Sequence, residues 1–111
     1  MELLTQQRGA VVVVRPTGPL TGTDAEAFKS RLRELIRENL GRVVIDASAL
    51  PYVDSQGLES LADVAAELAE GGKGLKICGA NTTITQVIEL TGLSPQFEHF
   101  DDANSAVRSF L

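Results

Sequence analysis

The clearest pattern in the chain is a run of four valines, Val11 to Val14, within "GAVVVVRP". Consecutive β-branched apolar residues predict a strand covered on both faces. "LLTQ" before it reads as a short edge strand, with "QRG" as the turn. The pattern then changes period. In "TGTDAEAFKSRLRELIREN", Ala25, Phe28, Leu32, Leu35 and Ile36 recur at helical spacing. Thr23 with Glu26 forms a capping-box signature, and Gly41 is placed to stop the helix. "RVVIDAS" is a second buried-type strand, and "ALPYVD" is a loop that Pro51 keeps from regular continuation. "SQGLESLADVAAELAEGGKG" carries Leu58, Leu61, Ala62, Ala65, Leu68 and Ala69 on one helical stripe. Glu59, Asp63, Glu67 and Glu70 lie opposite it, and Val64 falls at its boundary.

"LKICG" predicts a further strand, and Ile84, Val87 and Ile88 mark a short helix that Gly92 and Leu93 close. "QFEHF" reads as a last short strand. "DDANSAVRSFL" reads as a terminal helix, with Asp101 as its cap. The order β-β-α-β-α-β-α-β-α predicts an α/β fold in one domain over residues 1–111. Right-handed crossovers make its sheet of about four to five strands mostly parallel, with about four helices packed on it. The first two strands are close enough to pair antiparallel, which makes the sheet mixed.

Composition narrows the partners. A length of 111 residues suits one compact domain. A net charge of −5 disfavours nucleic acid or anionic membrane as the main partner, since both call for a basic footprint. Lys29, Arg33 and Arg37 recur at i, i+4, i+8 and are expected on a solvated helix face. "MELLTQQRGA" lacks the pattern of a signal peptide, and "AVVVV" is too short to span a bilayer. The expectation is a cytoplasmic protein, monomeric when free.

Candidate catalytic chemistry is sparse. Val53 and Asp54 precede Ser55 where a nucleophile elbow has glycine two residues before the serine. His99 is the only histidine and is expected at a sheet edge or surface. Cys78 is a single thiol and reads as a small buried hydrophobe. One His and one Cys make a poor ligand set for a metal. "EGGKGLK" precedes a strand, the reverse of a phosphate-binding loop. No catalytic residue, metal or cofactor is expected. "VDSQG" remains. Ser55 lies at the start of a helix, where unpaired N–H groups and a partial positive charge favour an anion. Two readings stay open from spacing alone. Asp54 or Ser55 caps the helix, or Ser55 is a group on which chemistry is done.

The chain resembles the STAS family, particularly the small stand-alone anti-sigma factor antagonists of bacteria. The resemblance is carried by "RPTGPLTGTDAEAFKSRL", "VVIDASALPYVDSQGLESL" and "GLKICGANTTITQVIELTGL". It implies a partner switch. The unphosphorylated antagonist binds an anti-sigma factor that is also a serine kinase, and the sigma factor is freed. The kinase then phosphorylates a serine that here falls on Ser55, and a PP2C-type phosphatase reverses the step. Asp54 precedes the target and Gly57 closes the motif. Gln56 departs from the family's frequent serine or threonine. The expected docking surface comprises Asp54, Ser55, Gln56, Gly57, Glu59, Ser60 and Asp63, with Leu20 to Asp24 along its border. The alternative is an unphosphorylated STAS adaptor in a stress-signalling or lipid-transport complex. An exposed apolar patch around Val64 and Tyr52 would favour it.

Overall fold

The computed structural model describes residues Met1 to Leu111. Strands β1 (Glu2–Arg8) and β2 (Val11–Thr17) form a hairpin, followed by α1 (Gly22–Glu38), β3 (Val43–Asp46), α2 (Ser55–Glu70), β4 (Leu75–Cys78) and α3 (Thr82–Leu90). A short 3-10 turn, Ser94–Gln96, leads into β5 (Phe97–Phe100), and α4 (Ala103–Arg108) ends the chain. The sheet has five strands in the order β1-β2-β3-β4-β5. The β1–β2 pair is antiparallel and every later pair is parallel.

The valine run sits where its composition requires. Val12 and Val14 face one core with Phe28, Leu32, Ile45, Leu61, Ile77 and Ile84. Val11 and Val13 face the other, with Val44, Cys78, Ala106 and Val107. Helices α1, α2 and α3 therefore cover one face of the sheet, and α4 covers the opposite one. A strand buried on both sides has no polar face to offer, which is why its sequence does not alternate.

Several boundaries differ from expectation. β1 runs to Arg8, so the turn is Gly9–Ala10. Helix α1 starts at Gly22 after Thr21, so Thr23 lies inside the first turn and no capping box forms. The terminal helix is capped by Asp102, whose carboxylate accepts from the Ser105 N–H at 2.8 Å; Asp101 lies one residue too early. Val64 is core, at 1% exposure, while Ala69 is exposed. Lys29 and Arg33 are not on a free face. Lys29 Nζ lies 3.1 Å from Asp63 Oδ2, and Arg33 Nε lies 3.0 Å from Glu67 Oε1, so both tie α1 to α2. The end of α3 is as expected. Gly92 donates to the Glu89 carbonyl and Leu93 to that of Ile88, the double bond of a glycine-closed helix.

Candidate functional site

Ser55 is the first residue of α2 and is exposed. Of the two residues that could cap this helix, the structure uses Asp54. The helix cap is Asp54, whose Oδ1 accepts from the Gly57 N–H at 2.8 Å. Its other oxygen, Oδ2, accepts from the Gly22 N–H at 2.9 Å, at the start of α1. One carboxylate thus closes the N-termini of two helices, reaching for α1 to a backbone group 32 residues earlier in sequence. The missing capping box of α1 has its explanation here, because the acceptor comes from another element. The Gly57 N–H is the main cause that holds Asp54 below its ordinary pKa; partial burial opposes it and the Gly22 N–H reinforces it.

The backbone around this carboxylate is tied as well. Leu20 and Val53 form a parallel bridge. The Leu20 N–H donates to the Tyr52 carbonyl at 3.2 Å, and the Asp54 N–H to the Leu20 carbonyl at 3.3 Å. Gly57 lies against this bridge. A Cβ on Gly57 would meet the Leu20 carbonyl oxygen at 2.1 Å, so no other residue fits without a backbone shift. Gly22 adopts φ +48° beside the Gln56 amide, again a conformation that glycine supplies at least cost.

A residue that the sequence reading did not single out holds the other side of the loop. Asn81 caps α3 by accepting from the Ile84 N–H at 2.8 Å. Its Nδ2 donates to the Pro51 carbonyl at 3.0 Å. The "GANTT" context holds the signal for the cap, since Asn before a helical run is a strong start. Nothing in it announces the contact with Pro51, which depends on the loop returning to the end of β4.

The expected docking residues do not all share one exposure. Ser55, Gln56 and Glu59 are exposed, and Asp54 and Asp63 are half-buried. Gly57 and Ser60 are buried. Ser60 departs from the exposed side assigned to it, because its hydroxyl donates to the Gly57 carbonyl at 2.7 Å and packs inward. Asp63 is engaged by Lys29. Gln56, Glu59, Ser60 and Asp63 nevertheless line one open groove of about 360 Å³, whose other wall is Gly22 to Lys29 of α1. The border anticipated at Leu20 to Asp24 is therefore continuous with the Ser55 turn. Of the two residues of the anticipated apolar patch, Tyr52 is half-exposed and Val64 is in the core.

The remaining reactive groups lie elsewhere. Cys78 is 1% exposed, and burial pushes its thiol up to about 11, so it is protonated at neutral pH. His99 is exposed on β5 at the sheet edge, with Nε2 3.4 Å from Ser94 Oγ. No group of three or more His, Cys, Asp or Glu side chains is placed to hold a metal ion.

These features describe a packed α/β layer whose loop edge presents a serine on a rigidly tied turn beside an open groove. The chain belongs to the STAS domain family, which matches residues 2–106. It is 24% identical over 110 residues to BtrV of Bordetella bronchiseptica, named as a candidate anti-sigma factor antagonist, covering 99% of this chain and 95% of that protein. A crystal structure of a candidate anti-sigma factor antagonist from Thermotoga maritima matches with a TM-score of 0.85 at 18% identity, over 96% of this chain and 92% of that one. The phosphorylated form of the Bacillus cell-fate determinant SpoIIAA matches at 0.74 and 18% identity, over 99% and 100% of the two chains. At these identities the two structures establish the fold. No helix is long and apolar enough to cross a membrane.

Proposed function

We propose that this chain is an anti-sigma factor antagonist that switches partners through Ser55. The unphosphorylated form binds an anti-sigma factor serine kinase and so releases the sigma factor. Phosphorylation of Ser55 ends the binding, and a PP2C-type phosphatase restores it. The observation that carries the reading is the separation of roles at adjacent residues. Asp54 supplies the cap, so the Ser55 hydroxyl is left out of the helix-closing bonds and points from an exposed first turn. A phosphoryl group there gains from the helix N-terminus and leaves the packing intact. It adds between one and two negative charges beside Asp54, Gln56 and Glu59, in the middle of the surface that a partner would cover. Burying such a charge against a protein is costly unless the partner pairs it. The names borne by BtrV and the Thermotoga protein point the same way.

An exposed apolar patch around Val64 and Tyr52 would favour the adaptor reading, and with Val64 in the core only Tyr52 remains of it. The test is incubation with ATP and the candidate kinase of the same organism, followed by intact-mass measurement and site mapping. One phosphate on Ser55, absent from Ser55→Ala, with kinase binding lost in Ser55→Asp, supports the switch. Unmodified protein that retains its partner under those conditions overturns it.

A further inference from the structure

The long outer strand of the sheet has one side without a neighbour. β1 is seven residues, "ELLTQQR", and pairs only with β2. It contains neither proline nor lysine, the residues that commonly blunt an exposed edge. Six positions from Glu2 to Gln7 are exposed save the half-buried Leu3, and Leu4 keeps 49% of its surface free. The opposite edge, β5, is shorter, with four residues.

The direction of the free backbone groups follows from the pairing. Val12 donates its N–H to the Arg42 carbonyl on the β3 side, so it does not bond β1. Its partner across the hairpin is Gln7, and Leu3 lies opposite Pro16, which has no N–H to give. Leu3, Thr5 and Gln7 therefore turn their N–H and C=O groups outward, while Glu2, Leu4, Gln6 and Arg8 bond β2. The side chains sort the same way. Arg8 bonds Asn104 of α4 at 2.6 Å, and Gln7 bonds Asn39 beside α1 at 3.2 Å, on the other face.

We infer that β1 is a self-recognition edge that pairs antiparallel with β1 of a second copy about a two-fold axis at Thr5. In that register Thr5 faces Thr5, and Leu3 faces Gln7, all with outward backbone groups that exchange hydrogen bonds. Glu2 faces Arg8 of the other copy at both ends, and Leu4 faces Gln6. These are the closely spaced pairs, in which side chains approach most nearly. They all lie on the face of α4, where Asn104 already orients the Arg8 guanidinium. Moving the register by two residues keeps the backbone bonds but loses both charge pairs. The sequence of the strand is thus self-complementary in one register, and a second copy is the occupant that this charge pattern selects. The two sheets become one, with the Ser55 edges pointing in opposite directions.

A single strand pair is a small interface, so the association falls in the range of about 10 μM to 1 mM. Sedimentation velocity on the full chain across that range is expected to show a monomer–dimer equilibrium. Amide exchange is expected to slow at Leu3, Thr5 and Gln7 as concentration rises. Arg8→Glu should raise the dissociation constant roughly tenfold or more by setting like charges opposite, and Glu2→Arg with Arg8→Glu should restore it. Thr5→Pro, which removes an outward N–H only, should leave a folded monomer by circular dichroism. A single monomeric species at about 1 mM, or a dimer that both Thr5→Pro and Arg8→Glu leave unchanged, overturns the proposal.

Discussion

Asp54 and Gly57 illustrate how much one side chain, or the lack of one, can settle. The Asp54 carboxylate depends on its charge to accept from Gly57 and Gly22 together. Its pKa is depressed from an ordinary 3.8, so its contribution to stability is present above that value and is lost as pH falls below it. Asp102 behaves alike, with the Ser105 N–H as the main cause. Thermal melts across the acid range are expected to separate wild type from Asp54→Asn most at neutral pH. The gap should narrow as pH falls below the ordinary carboxylate value and through the depressed one. At Gly57 the constraint is space. Gly57→Ala puts a methyl 2.1 Å from the Leu20 oxygen, and urea unfolding should report a loss at or above the roughly 1–3 kcal/mol typical of overpacking. A loss under about 0.5 kcal/mol would show that the α2 start yields easily.

Periodicity made the elements legible in their order and faces, because each buries an apolar stripe that the spacing of its residues displays. Their boundaries followed local capping rules only where the cap was local. Asp102 and Asn81 bond within their own helices. The start of α1 is closed by Asp54 from a distant loop, which no window around Thr23 contains. Charge was misjudged for a related reason. Lys29 and Arg33 look solvated on a helical wheel, but the acidic row of α2 lies alongside them and takes them up. Of the candidate site, the placement of Ser55 at the start of α2 was legible from the motif, whereas the inward turn of Ser60 depended on a backbone acceptor three residues back. The ion pairs tie α1 to α2, but the shared core of Phe28, Leu32, Leu61 and Val64 is expected to contribute more. Leu61→Ala, at a position 1% exposed, is expected to cost about 2–5 kcal/mol in denaturant titrations. Arg33→Ala should cost less than about 1 kcal/mol and even less at high salt.

At the scale of the molecule, the two faces of the sheet are unequally covered. Three helices protect one, and the six-residue α4 protects the buried Val44 and Cys78 on the other. Removing residues 103–111 should therefore lower stability by more than roughly 3 kcal/mol. A cysteine-reactive dye that ignores the intact protein should label Cys78 in the truncated one. The strand order 1-2-3-4-5 carries a further consequence. Open α/β sheets hold small molecules in the crevice that opens where the strand order reverses and neighbouring crossovers part to opposite faces. Here each parallel strand is added beside the last, α1 to α3 stay on one face, and no such parting forms between β2 and β5. The loop edge consequently has no crevice between its strands; Asp54 and Asn81 knit it, and the groove beside Ser55 opens between α1 and α2 instead. Tyr52, Ser55, Gln56 and Glu59 stand exposed on this edge, so on the proposed function a partner meets contour and charge laid over its top and is discriminated by those few side chains.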